Sequence, residues 1–246
     1  MNRWSGKVAV VTGASAGIGA AIARELVRNG LTVAGLARRA DKIEELASTL
    51  GDQSEKLHAV ECDVSREESV ISAFAWVKEH LGRIDVLVNN AGITIETTLS
   101  EGRLEDWKTV FDVNVLGLCL ATREGLKIMR ETEDEGLIVH VSSLAGERVP
   151  AVPGFSIYPA SKRAITALAQ SLRNELVGSK IRVTSITPGL VATDLMATYS
   201  SFSQEILNAM PSLKPDDIAA AIIYALSTPP HVSVQEIILR PVGESW

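Results

Sequence analysis

Thr12-Gly13-Ala14-Ser15-Ala16-Gly17-Ile18-Gly19 decides the fold through what flanks it. Before it runs Val8 to Thr12, short and β-branched. After it, Ile18 to Val27 repeats apolar residues at helical spacing up to Asn29-Gly30, a helix stop. Strand, glycine turn and helix in that order make a nucleotide cradle. Glycines let the main chain approach a pyrophosphate, while the free N–H groups and positive dipole end of the helix favour its charge. The spacing departs from G-x-G-x-x-G, and a glycine cluster alone would equally suit a tight turn; the strand and helix beside it favour the nucleotide. Gly13, Ser15, Gly17, Ile18 and Gly19 are the candidate contacts.

Working outward, Leu31 to Ala37 reads as a strand, Asp41 to Leu50 as a helix capped by Asp41, and Lys56 to Glu61 as a third strand. Ser65-Arg66-Glu67-Glu68 has the form of a capping box opening a helix to about Leu81. A buried strand at Asp85 to Val88, a long helix over Leu104 to Met129 and a strand at Leu137 to Val141 follow. A Gly/Pro loop then leads to a helix over Ser156 to Val177 and a strand at Arg182 to Ile186. A less regular segment to Met210, a helix at Pro215 to Leu226 and a strand at Val234 to Leu239 complete the chain. This alternation predicts an α/β fold: a single Rossmann-type doubly wound domain over 1–246, its mostly parallel sheet covered by helices on both faces. There is no internal repeat, linker or low-complexity segment.

Hydrophobic residues make up 46% of the chain, ample for a core. The formal charge of -6 and a pI near 5.3 argue against general attraction to nucleic acid or anionic lipid. No apolar run reaches the roughly 18 residues that suggest a membrane span. Met1 to Lys7 lacks the basic and apolar stretches of a signal peptide, so a cytoplasmic location is expected. Cys62 and Cys119 stand outside any C-x-x-C or metal-ligand spacing and are expected to be reduced core residues, with no metal.

The end of the second strand sets the cofactor. An acidic residue there would accept hydrogen bonds from a ribose 2′-OH, whereas this strand ends in Arg38 and Arg39. A carboxylate repels a 2′-phosphate and a guanidinium binds it with two charge-assisted hydrogen bonds, so NADP is expected over NAD. Cys62-Asp63-Val64 follows the third strand, where Asp63 is either an acceptor for the adenine amino group or a helix-entry residue. Val88-Asn89-Asn90-Ala91-Gly92 closes the fourth with small residues suited to cofactor contact and an Asn able to cross-link turns.

Tyr158 and Lys162 lie one helical turn apart in Tyr158-Pro159-Ala160-Ser161-Lys162. A phenol is a poor base at neutral pH, and a nearby ammonium is expected to lower its pKa and make it a proton shuttle. Ser142 and Ser143 end the fifth strand, at the sheet edge where ligands bind, and a hydroxyl there can hold a substrate oxygen as charge develops. Asn114 lies within the long helix, where a buried amide needs partners; it either bridges water to Lys162 or pins the helix.

With these residues assembled, the chain resembles the short-chain dehydrogenase/reductase superfamily along essentially its whole length. The TGxxxGxG turn, CDV, NNAG, the Asn-bearing helix, SS, YxxxK and Pro188-Gly189 occur in the family's order. Asn2-Arg3-Trp4, Leu213-Lys214-Pro215-Asp216-Asp217 and Ser227-Thr228-Pro229 resemble the branch that holds insect farnesol dehydrogenases and vertebrate dehydrogenase/reductase member eleven. The resemblance implies seven strands in three layers and a catalytic tetrad of Asn114, Ser143, Tyr158 and Lys162, with Ser143 chosen over Ser142 as the second of the pair. It further implies cofactor contacts from Val64, Asn90, Ala91, Gly92, Tyr158, Lys162, the main chain of Ile186 to Gly189 (Pro188 included) and the Thr193 hydroxyl. Many NADP-binding relatives carry a basic residue where this chain has Ala16, which leaves the phosphate to Arg38, helped by Arg39 or Ser15.

Leu195, Met196, Tyr199, Phe202, Ile206, Leu207 and Met210 crowd a segment at about 190–212 that in the family folds over substrate. It reads either as an apolar lid or as ordinary helix packing. The expected reaction passes a hydride between nicotinamide and an apolar alcohol or carbonyl, with farnesol or another isoprenoid alcohol favoured and a hydroxysteroid or general carbonyl substrate next. A non-catalytic NADP-binding regulator and an isomerase or dehydratase are the readings of other classes. The family also implies a homodimer or homotetramer, formed through the Asn114 and Tyr158 helices, with Ala164, Ala167 and Ala169 allowing close packing.

Overall fold

The computed structural model describes residues 1–132, 134–195, 199–200 and 203–244, with the main chain alone at 204, 207 and 208. Seven strands form one sheet: β1 (Val8–Thr12), β2 (Thr32–Ala37), β3 (Leu57–Glu61), β4 (Val86–Asn89), β5 (Gly136–Val141), β6 (Ile181–Pro188) and β7 (Glu236–Leu239). Their order is β3-β2-β1-β4-β5-β6-β7 and every neighbouring pair is parallel. The order reverses between β1 and β4, so the connections leaving those strands part to opposite sides and open a crevice at the carboxyl edge.

Strand residues alternate between two cores. Ala9, Val11, Val86, Val88, Leu137 and Val139 pack with Ile22 and Leu26 of α1 (Gly17–Arg28) and Ile218 and Ile222 of α8 (Pro215–Ser227). Val10, Leu87 and Ile138 point the other way, onto Phe74 of α3 (Glu67–Leu81), Ala121 of α5 (Gly117–Met129) and Ala169 of α6 (Ile157–Glu175). Burial on both faces explains the near-continuous apolar runs in the strands. Two of the sequence segments that set the chain apart meet in space: Trp4 Nε1 donates to Leu226 O at 2.7 Å, and Arg3 Nη2 donates to Leu226 O at 2.9 Å and to Thr228 O. Among the described residues no helix is long and apolar enough to cross a membrane.

Several local expectations are corrected. Asp41 lies in the first turn of α2 (Ala40–Ser48) and gives no side-chain cap, because that helix begins a residue earlier. Ser65 opens no capping box: α3 begins at Glu67, and the Ser65 hydroxyl donates to Asp63 Oδ1 instead. The long helix is interrupted, with α4 (Leu104–Phe111) passing into a π turn at Asp112–Leu116 before α5. The irregular segment contains a short helix, α7 (Gln204–Ala209). Cys62 is buried but Cys119 only half-buried. Ala169 packs inside the chain's own core and is unavailable to a second subunit.

His140 sits in β5 at 1% exposure, and among the described residues neither ring nitrogen has a hydrogen-bond partner. Burial, reinforced by Arg173, pushes its pKa down to about 3. The folded ring stays neutral in mild acid while the unfolded chain takes up a proton below its ordinary value near 6.5. The unfolded state binds more protons in that window, so stability is full above it and falls as the pH drops, by at most about 1.4 kcal/mol per pH unit. Replacing His140 by Gln is expected to remove about one proton from the pH slope of urea unfolding between about pH 6 and 4; an unchanged slope would show that this ring is not held neutral.

Candidate active site

The crevice is a cleft of about 530 Å³ at the carboxyl ends of β1, β2, β4, β5 and β6. Gly13, Ser15, Gly17, Ile18, Gly19, Arg38, Arg39, Asp63, Val64, Asn90, Ala91, Gly92, Ser143, Tyr158, Lys162, Pro188, Gly189 and Thr193 all line it. Asn114 does not, being fully buried behind the wall, and neither do Ile186 and Thr187.

Local chemistry fixes the nucleotide end. Gly13 has φ +68°, and a Cβ on Gly19 would lie 2.2 Å from Gly13 O, so the turn closes only with glycine at both places. Thr12 Oγ1 accepts the N–H groups of Asn90 (3.0 Å) and Ala91 (3.1 Å). The Asn90 amide returns a bond to Thr12 O at 3.0 Å, stapling the first turn to the end of β4. No side chain caps α1, whose N-cap is Ala16, so its first N–H groups are left for an anion, and a Cβ on Gly17 would press on Thr193 at 3.2 Å. Arg38 and Arg39 are exposed at the end of β2, and neither is ion-paired to a described residue. Asp63 is partly committed: burial would raise its pKa, but the Ser65 N–H (3.0 Å) and hydroxyl (2.7 Å), with Arg38 nearby, hold it below the ordinary carboxylate value. A small-residue turn, an uncapped helix end and a free basic pair fit the pyrophosphate and phosphate of a dinucleotide.

At the other end, Tyr158 joins Phe155, Ala145 and Tyr199 in a small apolar cluster. Burial pushes its pKa up to about 12, against the pull of a hydrogen bond with Ser143. Lys162 Nζ lies 5.7 Å from the Tyr158 ring centre, donates to Val141 O at 3.0 Å, and is itself pushed down to about 8 by burial. The expected lowering of the phenol by its neighbouring ammonium is therefore absent here. Both groups have lost their water, and desolvation sets the direction of both shifts. The serines are distinguished as well: Ser142 spends its hydroxyl on Lys162 O (3.1 Å), leaving Ser143 beside the phenol.

Asn114 accounts for the π turn. Its Oδ1 accepts the Ile93 N–H at 2.8 Å, and its Nδ2 donates to Ile93 O at 2.9 Å and Ser161 Oγ at 3.0 Å. The amide is committed to these three bonds, and a π turn is a frequent way of fitting such a residue into a helix at a functional site. Sequence reasoning missed Ser161, whose position inside YxxxK carries no signal. It also missed Glu244, whose carboxylate is paired with Arg240, accepts the Leu190 N–H at 3.2 Å, and lies where a Gly189 Cβ would be, 2.7 Å away.

A strand order that reverses beside a glycine turn, with a buried Ser-Tyr-Lys group across the cleft, defines a doubly wound α/β enzyme of the dinucleotide-binding kind. The chain belongs to the short-chain dehydrogenase family, whose model matches residues 7–204, and is an oxidoreductase acting on an alcohol or carbonyl. It is 45% identical over 252 residues to "Farnesol dehydrogenase" of Aedes aegypti, covering all of both chains. With "Dehydrogenase/reductase SDR family member 11" of Homo sapiens it shares 41% over 253 residues, covering 99% of this chain and 97% of the relative. Among solved structures it is similar to an alcohol dehydrogenase from Thermococcus sibiricus complexed with 5-hydroxy-NADP, at TM-score 0.86 and 34% identity, with 97% and 98% of the two chains covered. It is also similar to the closed form of a serine dehydrogenase complexed with NADP+, at TM-score 0.88 and 31% identity, with 97% and 96% covered.

Thr12→Val would keep the strand residue's shape and strip two N–H groups of their acceptor. A loss of about 2 kcal/mol in urea unfolding is expected, together with weaker dinucleotide binding followed by fluorescence titration. Wild-type behaviour in both would show that the staple carries no energy.

Proposed function

We propose that the chain is an NADP-dependent oxidoreductase that passes a hydride between the nicotinamide and the carbon of an apolar alcohol or carbonyl. The observation that carries the reading is the buried pair of Tyr158 and Lys162, with Ser143 lining the same cleft and facing the glycine turn across it. When bound, the nicotinamide would supply or accept the hydride. Gly13, Ser15, Gly17, Ile18 and Gly19 would hold its pyrophosphate, Arg38 with Arg39 its 2′-phosphate, and Asp63, Val64, Asn90, Ala91 and Gly92 the adenine side. Lys162, Pro188, Gly189 and Thr193 would hold the nicotinamide side.

The proton moves through this chain's own groups. A phenol held near 12 is fully protonated at neutral pH, which suits Tyr158 to donate to the oxygen of a carbonyl being reduced. Ser143, which lines the cleft with Tyr158, shares that oxygen and offsets the charge on it. In the oxidative direction Tyr158 must first give up its proton; the Lys162 ammonium stabilises the phenolate so formed, which then takes the alcohol proton and returns to the phenol. Asn114 keeps the Ile93 backbone and the Ser161 hydroxyl in place around them.

Support for an apolar substrate comes from the far end of the cleft, where Val152, Phe155, Leu195 and Met210 form the wall. Val191 pairs with Leu213, so the intervening stretch leaves and returns at one point, as a flap over the cleft at about 190–212 should. Of the residues expected in that flap, Met196 and Phe202 lie outside the described residues, and so does the Leu207 side chain. The similarity to farnesol dehydrogenase makes an isoprenoid alcohol the first substrate class to try, ahead of hydroxysteroids. Leu104 and Leu116, 61% and 53% exposed on the helices that flank Asn114, support self-association there.

A panel of alcohols including farnesol and a hydroxysteroid, each with NADP+ and NAD+, should give reduced cofactor by absorbance with NADP+ preferred; product without cofactor reduction would point to an isomerase. Tyr158→Phe is expected to cut kcat on the order of a thousandfold with cofactor binding intact, and retained turnover in a folded sample would refute the role of the phenol. Arg38→Asp should lower kcat/KM with NADP+ at least about tenfold, roughly 1.4 kcal/mol, without that loss for NAD+. An unchanged ratio between the two cofactors would remove Arg38 from the phosphate site.

A further inference from the structure

Tyr199 does not line the cleft, yet only 2% of it is exposed. Its hydroxyl shares a hydrogen bond with Thr94 Oγ1, itself buried. The Tyr199 ring meets Phe155 edge-on, with centres 5.3 Å apart at 62°, and Phe155 in turn lies 5.1 Å from the Tyr158 ring. The next residue, Ser200, donates to the Glu96 carboxylate through both its N–H (2.7 Å) and its hydroxyl (2.9 Å). The stem of Glu96 crosses Gly154, which has φ +72° and whose Cβ would come within 2.5 Å of Glu96 Cγ. Thr97 pairs with Phe155 and donates to Gly154 O at 2.9 Å.

Three segments far apart in sequence, 93–97, 152–155 and 199–200, thus close on one another around the catalytic ring. Each is irregular, with few main-chain bonds of its own to set its position. The first is already anchored, since Asn114 holds Ile93 by both amide and carbonyl. The third reaches that anchor through the Tyr199 hydroxyl and through the N–H and hydroxyl of Ser200, and Tyr199 is its buried member. Removing the Tyr199 hydroxyl would leave the buried Thr94 hydroxyl without this bond, so the bond favours the closed arrangement over an open one in which water serves Thr94. The aromatic contacts then pass that arrangement to Tyr158: Tyr199 fixes Phe155 edge-on, and Phe155 packs tilted at 40° against the Tyr158 ring.

We propose that Tyr199 is a positioning residue for Tyr158: its hydrogen bond to Thr94 clamps residues 199–200 onto 93–97 and, through Phe155, fixes the wall against which the phenol is oriented. The inference rests on the functional reading above for its kinetic consequence, though not for the clamp itself. Neither Tyr199 nor Thr94 touches the cleft, so cofactor affinity has no reason to change when they do.

The test compares wild type with Tyr199→Phe, Thr94→Val, their double variant and Thr94→Ser in the full chain. Amide hydrogen exchange should quicken by about tenfold in peptides spanning 93–97 and 152–155 for each of the first two. The double variant should be no worse than either single one, since they share one bond. Thr94→Ser should behave as wild type, and peptides from α3 should not change in any of them. In turnover of whichever alcohol the panel identifies, the loss should fall mainly on kcat, with the KM for NADP+ unchanged. Additive effects, a Thr94→Ser variant as impaired as Thr94→Val, or exchange and kcat at wild-type levels would overturn the proposal. Disturbed exchange in a chain that oxidises none of the alcohols would support the clamp and overturn the functional reading, so the two fail separately.

Discussion

A lysine amine sealed from solvent imposes the constraint that organises the chemical end of this molecule. At 4% exposure Lys162 has lost its hydration, and Val141 O at the end of β5 is the acceptor that replaces part of it. Fixing that nitrogen ties α6 to the carboxyl edge of the sheet, and Tyr158 rides on the same helix one turn earlier. Ser142 repeats the tie in reverse, donating its hydroxyl to Lys162 O, and this frees its neighbour Ser143 for the phenol. The site is thus built by burying polar groups that have just enough partners. A small change of environment can therefore alter which of them holds a proton.

The nucleotide end obeys a different rule, one of close approach. Thr12, Asn90 and the glycines at 13 and 19 bring two strand ends together across the point where the sheet order reverses. The uncapped start of α1 and the arginine pair face the open space beside this turn. The two ends are joined by Asn114, which leaves the helix register to grip Ile93 and thereby continues the Asn90-Ala91-Gly92 turn into the substrate side.

Much of this was legible in the sequence. Periodicity alone placed all seven strands to within about two residues; the five inner ones, buried on both faces, are written as nearly unbroken apolar runs, which the edge strands β3 and β7 are not. The glycine turn, Arg38 and the Tyr158–Lys162 spacing were visible as motifs whose chemistry needs those residue types. Helix starts were less legible. Asp41 and Ser65 are good caps by type, but Ser65 is drawn to Asp63, a competition that composition does not record. The π turn at Asp112–Leu116 was invisible because its cause, Ile93, lies in a different part of the chain.

Local sequence by itself determined the order of strands and helices and the identity of the chemical groups, since these rest on spacing along one chain. Tertiary structure alone decided their state. Burial set Tyr158 near 12 where one-turn proximity to an ammonium argued for a value below the ordinary phenol, and it separated Ser142 from Ser143. It also brought Glu244 against Leu190 and Tyr199 against Thr94. The reason is that desolvation and long-range contact depend on everything packed around a group, and a linear pattern records only what stands beside it.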